Sequence, residues 1–218
     1  MNKLLRDLIN TGKVATFIDN VIIGMETEEE HDKIVAEVIR RLEENDLYVK
    51  PEKYRWKVRE VGFLGVVIGL EGIKMEKVKV KEVLEWLTPK CVKDVQKFLG
   101  LANYYCQFIK DFASIAKPLH NMVKKDKKWE WTEKQERAFG KLKKRFTEEL
   151  VLAALDLDKK IQIEVNTSDY ATGGVLSIEC ENKLWRLVAF LSKSLNEMKR
   201  NNEIHDKEML VIIRGLEA

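Results

Sequence analysis

The chain has 218 residues and a mass of 25.4 kDa, the size of one large domain or two small ones. Hydrophobic residues make up 45% and charged residues 34%, which allows a substantial core and argues against a wholly disordered chain. No run of 18 apolar residues occurs, so no membrane-spanning helix is expected. Three scattered cysteines exclude a disulfide scaffold. Because the N-terminus also has no signal-peptide pattern, we expect an intracellular protein, cytoplasmic or nuclear.

The net charge of +3 conceals an uneven distribution along the chain. Residues 1–73 carry a net −3, residues 74–145 a net +10 and residues 146–218 a net −4. A basic middle third between acidic flanks indicates a segment that faces a polyanion. A solvated, lysine-rich helical surface would give the same distribution, and charge alone does not separate the two.

Near the N-terminus, a β-rich apolar run over residues 14–23 is interrupted by Asp19 and Asn20. This pattern predicts two strands joined by a hairpin turn, with the two polar residues at its tip. A carboxylate at a hairpin tip is held rigidly enough to bind a divalent metal beside a phosphate. Asp and Asn are also the preferred turn residues, so the hairpin by itself favours an ordinary structural turn over a metal site.

The other periodic patterns divide the chain into three parts. Besides the hairpin, the first part is predicted to contain a helix end over 1–10, a helix over 28–45 opened by a capping box, and strands over 47–49, 54–57 and 61–68. The basic middle is predicted to be helical over 78–86, 92–105, 112–123 and 132–146. The last part is predicted to contain strands over 161–165, 174–178 and 185–191, followed by a helix over 202–216.

Several blocks occur in the order found in one protein family. FIDNVIIG at residues 17–24 resembles the aromatic-x-Asp-Asp hairpin of reverse transcriptases, and VGFLG at 61–65 resembles their primer-grip strand. KFLGLANYY at 97–105 resembles their thumb. IEVNTSDY at 163–170 and HDKEML at 205–210 resemble the first strand and first helix of the attached ribonuclease H. Together the blocks resemble the Ty3/gypsy class of LTR-retrotransposon polyproteins.

The resemblance implies an α+β fold in three parts. Residues 1–73 would form the C-terminal part of a reverse-transcriptase palm, with an antiparallel sheet and helices. Residues 74–150 would form a helical thumb and connection, and residues 151–218 the N-terminal part of a ribonuclease H-like α/β domain. Relative to the family, we expect the chain to be truncated at both ends.

The resemblance also implies two Mg²⁺-dependent sites built from carboxylates. In the polymerase site, Asp19 matches the first hairpin carboxylate and Asn20 stands where the second is expected. In the ribonuclease H site, Asn166 stands in place of the first Asp and Glu208 matches the helix carboxylate, while Asp169 is interpreted as a turn or cap residue. Each Asn removes a negative charge beside the metal, so we expect Mg²⁺ to bind weakly or not at all through Asp19 and Glu208.

The basic middle coincides with the part that resembles the thumb, which grips template–primer duplex in the family. We therefore expect sequence-independent, salt-dependent contacts to RNA, DNA or an RNA–DNA hybrid. The residues assigned to these contacts are Phe63, Leu64, Gly65, Lys74, Lys77, Lys79, Lys81, Lys90, Lys93, Lys97, Lys124, Lys125, Lys127 and Lys128. Any single lysine is also compatible with a solvated surface charge. Core packing is expected of Tyr104, Tyr105, Trp56, Trp86, Trp129 and Trp131.

Three functions follow from the residues and the resemblance. The first is a fragment of a reverse transcriptase and ribonuclease H, a family that copies RNA into DNA and hydrolyses the RNA of RNA–DNA hybrids, and we expect the fragment to be inactive on its own. The alternatives are a non-catalytic nucleic-acid-binding remnant and the marginally folded product of a decayed pseudogene. Whether the chain is itself an enzyme stays open, as does its oligomeric state.

Overall fold

The computed structural model describes residues 1–25, 27–125, 127–148, 150–167, 171–195 and 204–216. The chain divides into two compact units, Met1–Phe63 and Leu64–Ala218, and each has its own apolar core. Within the described ranges, no helix combines the length and apolarity needed to cross a membrane. All three cysteines are unpaired.

The first unit combines a hairpin with a long helix. Its elements are α1 (Arg6–Asn10), β1 (Val14–Phe17), β2 (Asn20–Ile23), α2 (Glu28–Glu43) and β3 (Glu60–Phe63). The strands β1 and β2 pair antiparallel, and the unit's core is formed by Leu5, Val14, Val38 and Leu42. The hydroxyl of Thr27 accepts a hydrogen bond from the backbone N–H of Glu30 at 3.3 Å, which confirms the predicted N-cap of α2.

Two of the strands predicted for this unit are wrong. Residues 47–49 and 54–57 have no regular structure, and Pro51–Lys53 forms a 3₁₀ turn between them. A proline has no N–H to give to a strand ladder, and Lys57 has a φ of 48°, which lies outside the β region. The Lys57 ammonium instead reaches α2, where it forms an ion pair with Asp32 at 2.9 Å.

The described part of the second unit contains a hairpin, four α-helices and a C-terminal sheet with a further helix packed on it. Its strands are β4 (Val66–Gly69), β5 (Gly72–Met75), β6 (Ile161–Thr167), β7 (Ala171–Glu179) and β8 (Trp185–Ser194). Its helices are α3 (Lys77–Leu84), α4 (Val92–Tyr104), α5 (Phe112–Met122), α6 (Glu133–Phe146) and α7 (Ile204–Leu216). The C-terminal sheet is antiparallel in the order β6-β7-β8. The helical middle and the α+β fold class are confirmed.

The strand predicted over 61–68 is interrupted. Leu64 and Gly65 have φ values of 51° and 78°, and they separate β3 from β4. Positive φ at two successive residues reverses the chain, which a continuous strand does not permit. The VGFLG block therefore ends in a turn rather than in the middle of a strand.

The core of the second unit is formed mainly by side chains of α4, α5 and α6. Phe98 of α4 is fully buried, with its ring centroid 4.7 Å from that of Phe139 and 5.8 Å from that of Trp86. Backbone hydrogen bonds of 2.7 and 2.9 Å join Ile73 of β5 to Leu152, which precedes the C-terminal sheet. The hairpin, the helices and the segment leading to the sheet are thereby tied into one unit.

Candidate catalytic and nucleic-acid-binding sites

The predicted hairpin is present, but its tip is shifted by one residue. β1 ends at Phe17 and β2 begins at Asn20, so Ile18 and Asp19 form the two-residue turn and Asn20 pairs with Phe17. Ile18 has a φ of 57°, a region in which a β-branched residue is strained, and its side chain is 77% exposed. The turn thus presents Asp19 at the exposed end of the hairpin.

The donors at the hairpin do not fit a two-metal site. Asp19 supplies one carboxylate, and its neighbour Asn20 supplies a neutral amide, both of them exposed. Within the described ranges, no three His, Cys, Asp or Glu side chains come together as a group that could hold a metal ion. Mg²⁺ gives up its hydration water reluctantly and is bound through carboxylates and substrate phosphates. The hairpin alone therefore offers a poor site for this ion.

The residues assigned to the ribonuclease H site lie on neighbouring elements. Asn166 is exposed on β6, opposite Gly173 of β7. Glu208 is half-buried on α7, which packs against β6 and β7. The Nδ1 atom of His205 lies 3.9 Å from a Glu208 carboxylate oxygen, so a protonated His205 would offset the charge of Glu208. Asp169 lies outside the described residues.

The turn at Leu64 and Gly65, assigned to nucleic-acid contact, is held by two tyrosines of the thumb-like block. The Tyr105 hydroxyl donates a hydrogen bond to the Gly65 carbonyl at 2.8 Å, and the Tyr104 hydroxyl donates to the Leu64 carbonyl. The Tyr105 ring is buried, and this burial raises the pKa of its hydroxyl to about 12, so it remains a donor at neutral pH. Phe63, assigned with them, is half-buried at the end of β3.

This anchoring is a role that the sequence did not reveal. Both tyrosines were expected in the core; the prediction is confirmed for Tyr105, whereas Tyr104 is 54% exposed. The available signal was the hydroxyl group, since an apolar stripe needs only a ring and Phe would serve it equally well. The partners lie 40 residues away along the chain, beyond the reach of any helical spacing.

The lysines assigned to phosphate contacts fall into two groups. Three form ion pairs with nearby carboxylates, namely Lys74 with Glu71, Lys79 with Glu82 and Lys81 with Glu85, at 2.9, 3.0 and 3.8 Å. The other eight are exposed and have no ion pair with any residue that the structure describes: Lys77, Lys90, Lys93, Lys97, Lys124, Lys125, Lys127 and Lys128. A phosphate can approach these eight without displacing a carboxylate.

The tryptophans do not all pack as expected. Trp86 and Trp131 lie against the core of the second unit, as predicted. Trp56 and Trp129 remain 50% and 38% exposed, so the expected burial is wrong for both. Each stacks on a second aromatic ring at an interplanar angle of 20°, Trp56 on Tyr54 and Trp129 on Trp131.

Comparison with known proteins gives consistent matches at both ends of the chain. Residues 1–68 match a family model described as reverse transcriptase (RNA-dependent DNA polymerase), and residues 131–218 match one described as an RNase H-like domain found in reverse transcriptase. The chain is 33% identical over 208 residues to the Transposon Tf2-7 polyprotein, and 33% identical over 203 residues to the Transposon Tf2-3 polyprotein, both of Schizosaccharomyces pombe. These alignments cover 95% and 93% of this chain but only 16% and 15% of the two polyproteins.

Solved structures resemble the chain along nearly its whole length. The foamy viral protease-reverse transcriptase in complex with RNA/DNA hybrid matches with a TM-score of 0.83 at 22% identity, covering 99% of this chain and 29% of that one. The foamy viral protease-reverse transcriptase dRH in complex with double-stranded DNA matches with a TM-score of 0.82 at 22% identity, covering 99% and 37%. At this identity the likeness concerns the fold, and it agrees with the α+β class.

Proposed function

Because this chain belongs to the reverse-transcriptase family of Ty3/gypsy-type retrotransposon polyproteins, we propose that its function is to bind the sugar–phosphate backbone of an RNA–DNA hybrid or of duplex DNA. The observation that carries this proposal is the group of eight exposed lysines, in a segment of net charge +10, that form no ion pair with any residue the structure describes. The solved relatives supply support at the level of fold, since they are complexes with RNA/DNA hybrid and with double-stranded DNA.

The proposal includes the roles that the resemblance implies for the three parts of the chain. Residues 1–73 act as the palm part, residues 74–150 as the thumb and connection, and residues 151–218 as the ribonuclease H-like part. Two tyrosines of the thumb part, Tyr104 and Tyr105, fix the turn at Leu64 and Gly65 of the palm part to α4. A fixed turn beside a basic helical segment suits a rigid grip on a regular backbone rather than the recognition of particular bases.

Binding of this kind is driven by the release of counterions from the phosphates. In a plot of the logarithm of the binding constant against the logarithm of the salt concentration, each lysine that neutralises one phosphate of a duplex makes the slope more negative by about 0.9. We therefore expect replacement of Lys124, Lys125, Lys127 and Lys128 by glutamine to flatten that slope by about 3 to 4. Fluorescence anisotropy of a labelled RNA–DNA hybrid, titrated at a series of salt concentrations, measures it.

A second quadruple variant tests whether the effect comes from the lysines of residues 124–128 or only from the loss of net charge. Glutamines at Lys159, Lys160, Lys183 and Lys193 remove the same total charge from the acidic last third, where Lys159 and Lys160 already pair with Asp156 and Glu179. This control is expected to keep the wild-type slope. Equal flattening by both variants, or a wild-type chain that does not bind the hybrid, would contradict the proposal.

We further propose that the chain does not polymerise DNA by itself. The support is the chemistry of the hairpin, where Asp19 is accompanied by the neutral Asn20 instead of a second carboxylate. The family's reaction requires two metal ions held by carboxylates, and loss of one charge weakens both positions.

Primer extension with the purified chain tests this proposal. We expect no product in the presence of Mg²⁺, a labelled primer–template and all four nucleotides. The matched control is Asp19→Asn, which changes one charge with almost no change of shape. Mg²⁺-dependent extension that is present in the wild-type chain and lost in Asp19→Asn would show an active site here and overturn the proposal; extension by both would trace to a contaminating polymerase.

A further inference from the structure

A stacked pair of tryptophans stands just before α6, directly after the lysines of residues 124–128. The ring centroids of Trp129 and Trp131 are 5.8 Å apart, and their planes lie within 20° of parallel. Trp131 is the inner ring: its indole N–H donates a hydrogen bond to Glu136 at 2.7 Å, and its ring meets that of Phe139 edge-on at 6.0 Å. The core of the unit therefore fixes the orientation of Trp131.

Trp129 is the outer ring of the pair. Stacking on Trp131 covers one of its faces, yet 38% of its surface remains exposed. An aromatic ring supported from behind and open in front is a surface on which a nucleic-acid base can stack, because every base has a flat π-face. Such a ring also loses little side-chain freedom on binding, since Trp131 already restrains it.

The lysines beside the pair supply the charge that a nucleic-acid strand needs. Lys124, Lys125, Lys127 and Lys128 are exposed, and none is paired with a residue within the described ranges. The other stacked pair, Tyr54 and Trp56, differs in this respect because the lysine that follows it is held by a carboxylate of α2. Exposed aromatic rings combined with free cations are typical of surfaces that bind single strands.

We propose that Trp129 stacks against an unpaired base of a single-stranded nucleic acid whose phosphates contact the lysines of residues 124–128. Bases inside a duplex already have both faces covered, so the ring selects a strand that is not base-paired. The inference rests on the proposed function, because it assigns to the same basic segment a second substrate class, a single strand beside the hybrid.

Three labelled probes test the proposal: oligothymidine of about twelve nucleotides, an abasic strand of the same backbone length, and a blunt RNA–DNA hybrid. Trp129→Ala is expected to weaken binding of oligothymidine by about tenfold, because one base loses its stacking partner. Binding of the abasic strand and of the hybrid is expected to stay unchanged. Trp129→Tyr keeps a ring at this position and is expected to retain most of the affinity for oligothymidine.

Trp185→Ala is the matched control, because Trp185 is 46% exposed at the start of β8 and lies away from the lysines in sequence. It should leave all three affinities unchanged, and circular dichroism should show that every variant is folded. The stacking proposal is overturned if Trp129→Ala weakens oligothymidine and the abasic strand alike, if it weakens neither, or if Trp129→Tyr behaves like Trp129→Ala. A wild-type chain that binds oligothymidine through Trp129 but not the hybrid would refute the proposed function and leave the stacking intact.

Discussion

Replacing Phe98 by alanine is expected to lower the free energy of unfolding of the second unit by about 4 kcal/mol. Phe98 is 0% exposed, and its ring touches Phe139 of α6 and Trp86, which follows α3. Truncation removes the ring that joins these elements and leaves a cavity, and the surrounding helices can fill it only in part. Most of the cost therefore falls on the packing of α4 against its neighbours in the core of this unit.

Urea unfolding followed by circular dichroism measures this effect. Leu87→Ala is the control in the same unit, because Leu87 is 81% exposed and its truncation is expected to change stability by no more than about 0.5 kcal/mol. A cooperative wild-type transition that Phe98→Ala shifts strongly would exclude the marginally folded product of a decayed gene. A broad transition that neither variant shifts would favour that alternative instead.

Patterns that depend on neighbours along the chain predicted most of the fold. Capping residues and apolar stripes located the long helices, and the start of α2 was confirmed by the hydrogen bond at Thr27. The strands predicted over 47–49 and 54–57 are wrong because the prediction left out the effect of Pro51 and of the positive φ at Lys57. The contacts of this segment, packing of Val49 against the core and the ion pair of Lys57 with Asp32 of α2, join residues distant along the chain, and no local pattern encodes them.

In the candidate site, too, the sequence predicted the local features and missed the contacts between distant residues. The sequence located Asp19 on a hairpin and the lysines in the basic middle of the chain, because both are properties of short stretches. It missed that Tyr104 and Tyr105 hold the turn at Leu64 and Gly65, since these contacts join residues 40 positions apart. It also could not distinguish the outer ring of the tryptophan pair from the inner one, because that difference arises only when Trp131 packs on α6.

Gly72→Ala is expected to destabilise the second unit by about 3 kcal/mol, although it adds a single methyl group. Gly72 opens β5 with a φ of 128°, a conformation that disfavours any residue with a Cβ atom. A Cβ placed there would overlap the carbonyl oxygen of Leu152, and a backbone atom cannot rotate away as a side chain can. To relieve the overlap, the chain must break the two hydrogen bonds that join Ile73 to Leu152.

The same substitution at Gly140 serves as the control, because it should act in the opposite direction. Gly140 lies inside α6, and a Cβ there would meet no atom within 4 Å. Alanine favours the helix by up to about 1 kcal/mol over glycine, so Gly140→Ala is expected to stabilise the unit slightly. Urea unfolding of both variants measures how one added methyl group changes the free energy of unfolding at each of the two positions. If Gly72→Ala costs less than about 1 kcal/mol, the close approach of β5 to Leu152 is not what ties the hairpin to the rest of the unit.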